Sequence, residues 1–404
     1  MHRNSVHNMI LNESDSDDEL EIVAVLKMEE ESRSRRGSMQ RRLFIRRNTL
    51  EGHQRLFLDY FAESPTYPPN VFRRRFRMNR SLFFRIHSTL KAHEPYFVQK
   101  RNGARVLGLS SYQKMTAALR MLAYGVAADF MDEYWLQFFT DEYLRSPNEN
   151  DIVRLLTIGQ SRGFPGMLGS IDCMHWKWKN CPTAWKGMYS GHINEPTIIL
   201  EAVASYDLWI WHAFFGLPGS HNDINVLERS SVFTKLAEGR TPSVNYSING
   251  NDYTMGYYLA DGIYPQWSTF VKTIPSPQGN KRKHFATAQE SARKDVERAF
   301  GVLQARFAIV RGPARSWERE TLKNIMKACI ILHNMIVEDE RDVNEAEDYD
   351  YEQIDENPHV SVSHDHTTEL MEFIRRHHRI RDRETHSQLQ SDLVEHLWQL
   401  HSQS

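Results

Sequence analysis

Five strand-like runs that follow Phe164-Pro165-Gly166 constrain this chain more than any other feature. They occupy residues 167–178, 197–205, 208–215, 257–261 and 269–274, and Tyr206-Asp207 reads as the turn joining the second to the third. Helical patterns fill 223–238, 285–310 and 318–337. Strands first, with helices between and after them, predict an α/β (α+β) domain in which a mixed sheet is flanked by helices. A chain of 404 residues, 40% of them hydrophobic, is long enough to bury a large core.

The sequence on either side has a different character. Residues 1–55 read as a disordered tail, acidic from Asp15 to Glu21 and then carrying seven arginines between Arg33 and Arg47 with no acid among them. Such a cluster suits nuclear import or a nucleic-acid arm, and equally a solvated tail. Residues 56–160 read as an all-helical unit. Apolar residues recur three and four apart over 81–90, Arg73, Arg74, Arg75, Arg77 and Arg80 lie just before, and Ser110 or Ser111 is placed to cap the next helix. Residues 161–337 hold the strands. An acidic linker, 338–365, is expected to be disordered, with eleven acids against Arg341 in its first part. A last amphipathic helix, within 366–404, closes the chain.

The net charge of −2 argues against uniform coating of nucleic acid, although local patches can still steer a polyanion. Three cysteines, Cys173, Cys181 and Cys329, an odd number in a long chain, argue against a disulfide framework, and a reducing compartment is expected. No run of 18 apolar residues and no apolar signal core is present, so a soluble intracellular protein without a membrane partner is expected.

Three carboxylates stand in informative settings. Asp172 interrupts the apolar run Gly169-Ser170-Ile171-Asp172-Cys173-Met174-His175-Trp176, Asp261 ends Tyr257-Tyr258-Leu259-Ala260-Asp261, and Glu297 lies in a helix 36 positions further on. A buried carboxylate must be paired, hydrogen-bonded or metal-bound. Carboxylates brought together from strand, strand and helix can hold two Mg²⁺ (or Mn²⁺) ions about 4 Å apart, the arrangement that phosphoryl transfer uses. Each has a plainer reading: a structural Asp172, a turn residue at Asp261, a surface Glu297 in i,i+4 pairs. In the last helix Val296, Phe300, Leu303 and Phe307 form the core-facing stripe, with Glu297 at its edge. Gly301, costly in mid-helix, suggests close approach of another group.

Charge around this set favours a polyanion. Between Phe270 and Arg315 ten Lys or Arg stand against three acids. Lys281, Arg282, Lys283, Arg293, Lys294 and Arg298 from that stretch, with Lys177 and Lys179, are the candidate DNA contacts. Trp176, Trp178, Trp185 and Trp267 can stack on splayed bases, although at least two of them read as core. Cys173, His175, Cys181 and His192 match no common finger spacing, so zinc is not favoured. His333 reads as a hydrogen-bonded core histidine.

Gly169 to Trp178, Gly219-Ser220-His221-Asn222-Asp223-Ile224-Asn225-Val226-Leu227, Tyr257 to Tyr264 and Asp295 to Phe307 resemble the PIF/Harbinger transposases and the plant genes derived from them, over roughly residues 56 to 340. The resemblance implies an RNase H-like fold whose DDE triad carries over to Asp172, Asp261 and Glu297, with Asp223 as an accessory acid or the cap of its helix. It implies Mg²⁺-dependent hydrolysis and strand transfer at transposon ends, in the nucleus, with DNA and a separate Myb/SANT-like DNA-binding protein as partners. A homo-oligomer is left open. One departure stands out: between Trp135 and Asp141 about twenty residues of the family's helix-turn-helix-like unit are missing. A domesticated, non-cleaving chromatin or partner-binding protein is therefore the alternative expectation.

Overall fold

A computed structural model describes residues 48–103, 105–125, 134–191, 194–238, 244–345 and 366–403. The Arg33–Arg47 cluster, Ala128 to Glu133 at the family departure, His192 and residues 346–365 lie outside them.

Among the described residues seven strands form in chain order: β1 (Met167–Lys177), β2 (Thr197–Ala204), β3 (Ile210–Pro218), β4 (Tyr246–Ile248), β5 (Asn251–Tyr253), β6 (Tyr257–Ala260) and β7 (Phe270–Lys272). Five of them make one sheet in the order β3-β2-β1-β6-β7, while β4 and β5 pair separately. The first three run antiparallel, and β6 and β7 run parallel to β1. This mixed sheet, flanked by helices and preceded by a helical region, is an RNase H-like arrangement. β2 is buried along its whole length because it lies second from one edge with both faces covered, and its sequence is apolar but for Thr197 and Glu201. The β2–β3 turn forms at Tyr206-Asp207 as expected, closed by the Ser205 amide donating to the Trp209 carbonyl at 3.1 Å, with Leu208 at φ 70°.

The N-terminal helices are α1 (Thr49–Tyr60), α2 (Pro69–Phe76), α3 (Arg80–His93), α4 (Ser111–Tyr124), α5 (Tyr134–Tyr143) and α6 (Glu149–Ser161). The first begins inside the stretch read as tail. Ser110, not Ser111, caps α4, with Gln113 completing a reciprocal capping box. Phe61, Phe72, Phe76 and Phe83 pack edge-on and stacked in the middle, in a core that continues into the residues beneath the sheet.

Three helix expectations are corrected. The segment expected as one helix over 223–238 is two short ones, α8 (Asp223–Leu227) and α9 (Thr234–Ala237), after the single turn α7 (Lys186–Tyr189). The one expected over 285–310 is three: α10 (Asn280–Arg293), α11 (Asp295–Arg306) and α12 (Ala308–Arg311). It breaks at Lys294 because the start of α11 is claimed by the sheet. Ser170 Oγ accepts the Val296 amide at 3.0 Å, and the buried Asp295 carboxylate takes Arg162 Nη1 at 2.5 Å. The C-terminal helix is also two, α14 (His366–Ile380) and α15 (Arg383–Gln403), and Asp382 caps the second through the Glu384 amide.

The acidic stretch is corrected as well. Helix α13 (Arg319–Glu345) runs on past Val337, so residues 338–345 are helical. Glu340 pairs with Arg73 and Arg306 at 2.6 and 2.5 Å, Glu338 with Arg85 at 3.2 Å, and Asp339 takes Asn79 at 2.7 Å. Arg73 and Arg85 thus anchor the helical region on α13, and Arg306 ties α11 to the same helix. His333 is buried in this helix and bonds the Leu208 carbonyl, as expected.

Candidate active site

Alternation along β1 decides which groups meet. Ser170 holds the Val296 amide and Met174 receives Gln304, so the even-numbered side chains face α11, and Asp172 lies between these two on the same face. Cys173 points to the other face, where its sulfur lies 3.8 Å from Tyr264 Oη. Along the parallel pairing Ser170 is level with Leu259. Asp261 follows directly on the end of β6, the strand beside β1, and its charge acts on Asp172. Asp261 also accepts the Ile263 amide at 2.9 Å, so it is the turn residue of the plainer reading as well.

Glu297 comes in from the first turn of α11. Its Oε1 lies 2.9 Å from Arg293 Nη1, and Asp172 Oδ2 lies 3.4 Å from the same nitrogen. No more than those two distances laid end to end can separate the carboxylates. Arg293 is therefore a clamp inside the acidic group, taking Glu290 at 2.8 Å as well, rather than a cation on an open DNA-facing surface. The three sequence-predicted carboxylates share one locality. As they stand, no three His, Cys, Asp or Glu side chains among the described residues group closely enough to hold an ion. Glu297 leans on Arg293 instead.

Electrostatics mark the same place. Burial pushes the Asp172 carboxyl up to about 6, and the charges of Asp223 and Asp261 add to this against the opposing Cys173 amide and Arg293. Burial raises Asp223 too, with Asp261 and Glu201 contributing and its hydrogen bond to Cys173 working the other way. Asp172 stays raised despite Arg293 and Asp223 is raised as well, and hard oxygen donors in that condition suit a divalent cation. Carboxylate oxygens are the donors that Mg²⁺ or Mn²⁺ takes, but Glu297 is held by Arg293. Asp223 joins this electrostatic group from the far side of the sheet, but it does not cap α8; Asn222 does, accepting the Asn225 amide at 2.9 Å.

The other candidates divide. Lys283 and Lys294 line an open groove of about 730 Å³ with Thr273, Ile274 and Ser291, and Glu290 forms its border with the acidic group. Lys179 and Arg282 are exposed. Lys177 is tied to Glu195, Lys281 to Glu395, and Arg298 to Asp295 with its guanidinium over Tyr206. Trp176 and Trp178 are core, while Trp185 is 38% exposed and Trp267 is covered by Arg381. Gly301 does not receive a close neighbour: an added Cβ meets nothing within 4 Å, so that expectation is corrected.

Sequence reading missed the supports. Fully buried Gln289 donates to the Ala260 and Val271 carbonyls at 3.0 and 3.1 Å, fixing the strand ends beside Asp261. A glutamine within the stripe Phe285, Gln289, Ala292 was the available signal. Ser170 and the Arg162–Asp295 pair gave none, because their partners are distant in sequence.

A family model described as plant transposon protein matches residues 141–344, and a second, described only as a domain of unknown function, matches 52–91. Protein ALP1-like of Arabidopsis thaliana is 24% identical over 70% of this chain and 76% of its own length. HARBI1 of Mus musculus, a candidate nuclease by its name, is 24% identical over 45% of this chain, and its human counterpart 23%. The chain spans 49% of the length of these HARBI1 proteins. No solved structure matches.

Proposed function

Because the chain belongs to the plant transposon protein family, of the PIF/Harbinger type, we propose that it is a metal-dependent DNA endonuclease or transposase acting through Asp172, Asp261 and Glu297. The observation that carries this reading is that Asp172 and Glu297 are drawn to one guanidinium, with Asp261, just past the end of β6, acting on Asp172 through its charge. In this reading the three carboxylates hold two Mg²⁺ or Mn²⁺ ions. Bound there, such ions supply an activated water and neutralise the leaving oxygen of a phosphodiester.

The chain's own groups do the rest. Ser170 and the Arg162–Asp295 pair fix the start of α11 and hence the approach of Glu297. Gln289 holds the end of β6 and hence Asp261. Arg293 keeps Asp172 and Glu297 together before any cation arrives, and Lys283 and Lys294 give the adjoining groove the charge a phosphate backbone needs. Strand transfer at transposon ends, a nuclear location, a Myb/SANT-like DNA-binding partner and self-association belong to the same proposal.

The second reading, a domesticated protein that no longer cuts, is favoured by one observation: Glu297 is bound to Arg293 and the acids do not yet converge. Nicking of supercoiled plasmid separates the two. Purified protein with Mg²⁺ or Mn²⁺ nicks, and Asp261→Ala abolishes nicking. Equal nicking by that variant would defeat the enzyme reading, and no nicking by the parent protein would favour domestication.

A further inference from the structure

Beyond the end of β1 lies a built surface that the carboxylate site does not use. Residues 176–180 are stitched to residues 312–316. Lys179 donates its amide to the Ala314 carbonyl at 2.9 Å, and the Ala314 amide donates to Lys177 at 2.7 Å. Trp178 Nε1 donates to the Ser316 carbonyl at 2.8 Å, and Asn180 Nδ2 to the Arg315 carbonyl at 2.5 Å. The Trp178 ring is buried and sits edge-on to Tyr189, and Trp185 lies 6.1 Å from it. Around this buried hub three large apolar side chains are left in solvent: Trp317 is 64% exposed, Met188 50% and Trp185 38%. The Trp185 ring is held in place by the Arg319 guanidinium, 5.2 Å from its centroid, which also donates to Tyr189 Oη at 3.2 Å.

The charge here is one-sided. Residues 177–191 and 311–319 carry Lys177, Lys179, Lys186, Arg311, Arg315 and Arg319 against Glu318 alone, although Glu195 nearby pairs with Lys177. Protein partners select surfaces depleted in lysine at their centre. Exposed tryptophans among lysines and arginines fit unpaired nucleic acid, whose bases offer π-faces and whose phosphates need cations. The strand rise puts the end of β1 ~17 Å from Asp172, within reach of the same DNA molecule.

We propose that Trp185, Met188 and Trp317 form a stacking platform for the bases of an unpaired DNA strand, with Lys179, Lys186 and Arg315 taking its phosphates. The proposal deepens the nuclease reading and rests on it, since it names the form of DNA that the protein holds beside the cut.

The test measures binding of the full chain to a fluorescent oligothymidine and to a duplex of equal length, both without metal. Trp317→Ala and the Trp185→Ala/Trp317→Ala pair weaken single-strand binding about 5- to 150-fold per lost stack, leave duplex binding within about twofold, and are rescued in part by Trp317→Phe. Trp317 is a loop residue in solvent, so its variant keeps the parent melting temperature even if the double variant does not fold. Unchanged single-strand binding by Trp317→Ala, or equal loss on both DNAs, overturns the platform. So does failure of the parent protein to bind the single strand, which would leave the surface to a protein partner. Plasmid nicking is scored separately. A nicking parent with unaffected tryptophan variants sinks the platform alone, and a non-nicking parent whose variants lose the single strand sinks the nuclease reading alone.

Discussion

Replacing Asp172 by Asn is expected to make the metal-free protein more stable while removing its chemistry. The carboxyl is pushed up to about 6 from an ordinary 3.8, chiefly by burial, and its side chain is 19% exposed, so solvent screens it little. Its folded-state value lies above its unfolded one. Ionisation therefore costs the fold above pH 6, and that cost disappears as pH falls through 6 towards 3.8. At 1.36 kcal/mol per unit the penalty at pH 8 is at most about 3 kcal/mol. Asp172→Asn, neutral at every pH, escapes it but loses the contact with Arg293 and the geometry at the Cys173 amide. Urea unfolding in chelator, at pH 8 and pH 4, measures the difference between variant and parent. The variant gains about 1–3 kcal/mol at pH 8 relative to its standing at pH 4. A difference that is flat with pH, or that grows towards acid, would refute the account of a desolvated carboxylate awaiting a cation. Adding Mg²⁺ at pH 8 raises the parent's midpoint and leaves the variant's unmoved.

Two further outcomes follow from the same structure. Gly301→Ala fills open space in an exposed helix turn and raises stability by about 0.5–1 kcal/mol, readable as a higher urea midpoint; a loss would restore the close approach that sequence suggested. His333 behaves oppositely to Asp172: burial, with Arg306 beside it, lowers it to about 3, its Nε2–H donating to the Leu208 carbonyl at 2.8 Å. Its neutral form contributes stability that is complete above pH 6.5 and is lost as pH falls towards 3, by up to about 3 kcal/mol at pH 4.5. His333→Gln should flatten that fall in urea titrations, and an unaltered acid limb would remove His333 as its source.

Patterns within one element were legible and survived. The strand runs, the β2–β3 turn, the stripe Val296, Phe300, Leu303 and Phe307, and the core place of His333 each depend on neighbours in sequence. Patterns that end where another part of the chain intervenes were not. Periodicity carried one helix from Phe285 to Val310 because nothing local stops it; the break at Lys294 comes from Ser170 and Arg162, more than a hundred residues earlier. Acid content alone suggested disorder after Val337, yet Arg73, Arg85 and Arg306 neutralise those acids and let α13 continue.

The candidate site divides along the same line. Sequence by itself determined which carboxylates are unusual, since an aspartate in an apolar strand or an acid at a stripe edge is a local anomaly with a local cost. Only tertiary structure decided that Asp261 comes near enough for its charge to act on Asp172 and that Arg293, offered by sequence to DNA, instead joins Asp172 to Glu297. Register and ion pairing are set by the whole sheet and the helix across it, where the free energy of each contact depends on groups far along the chain.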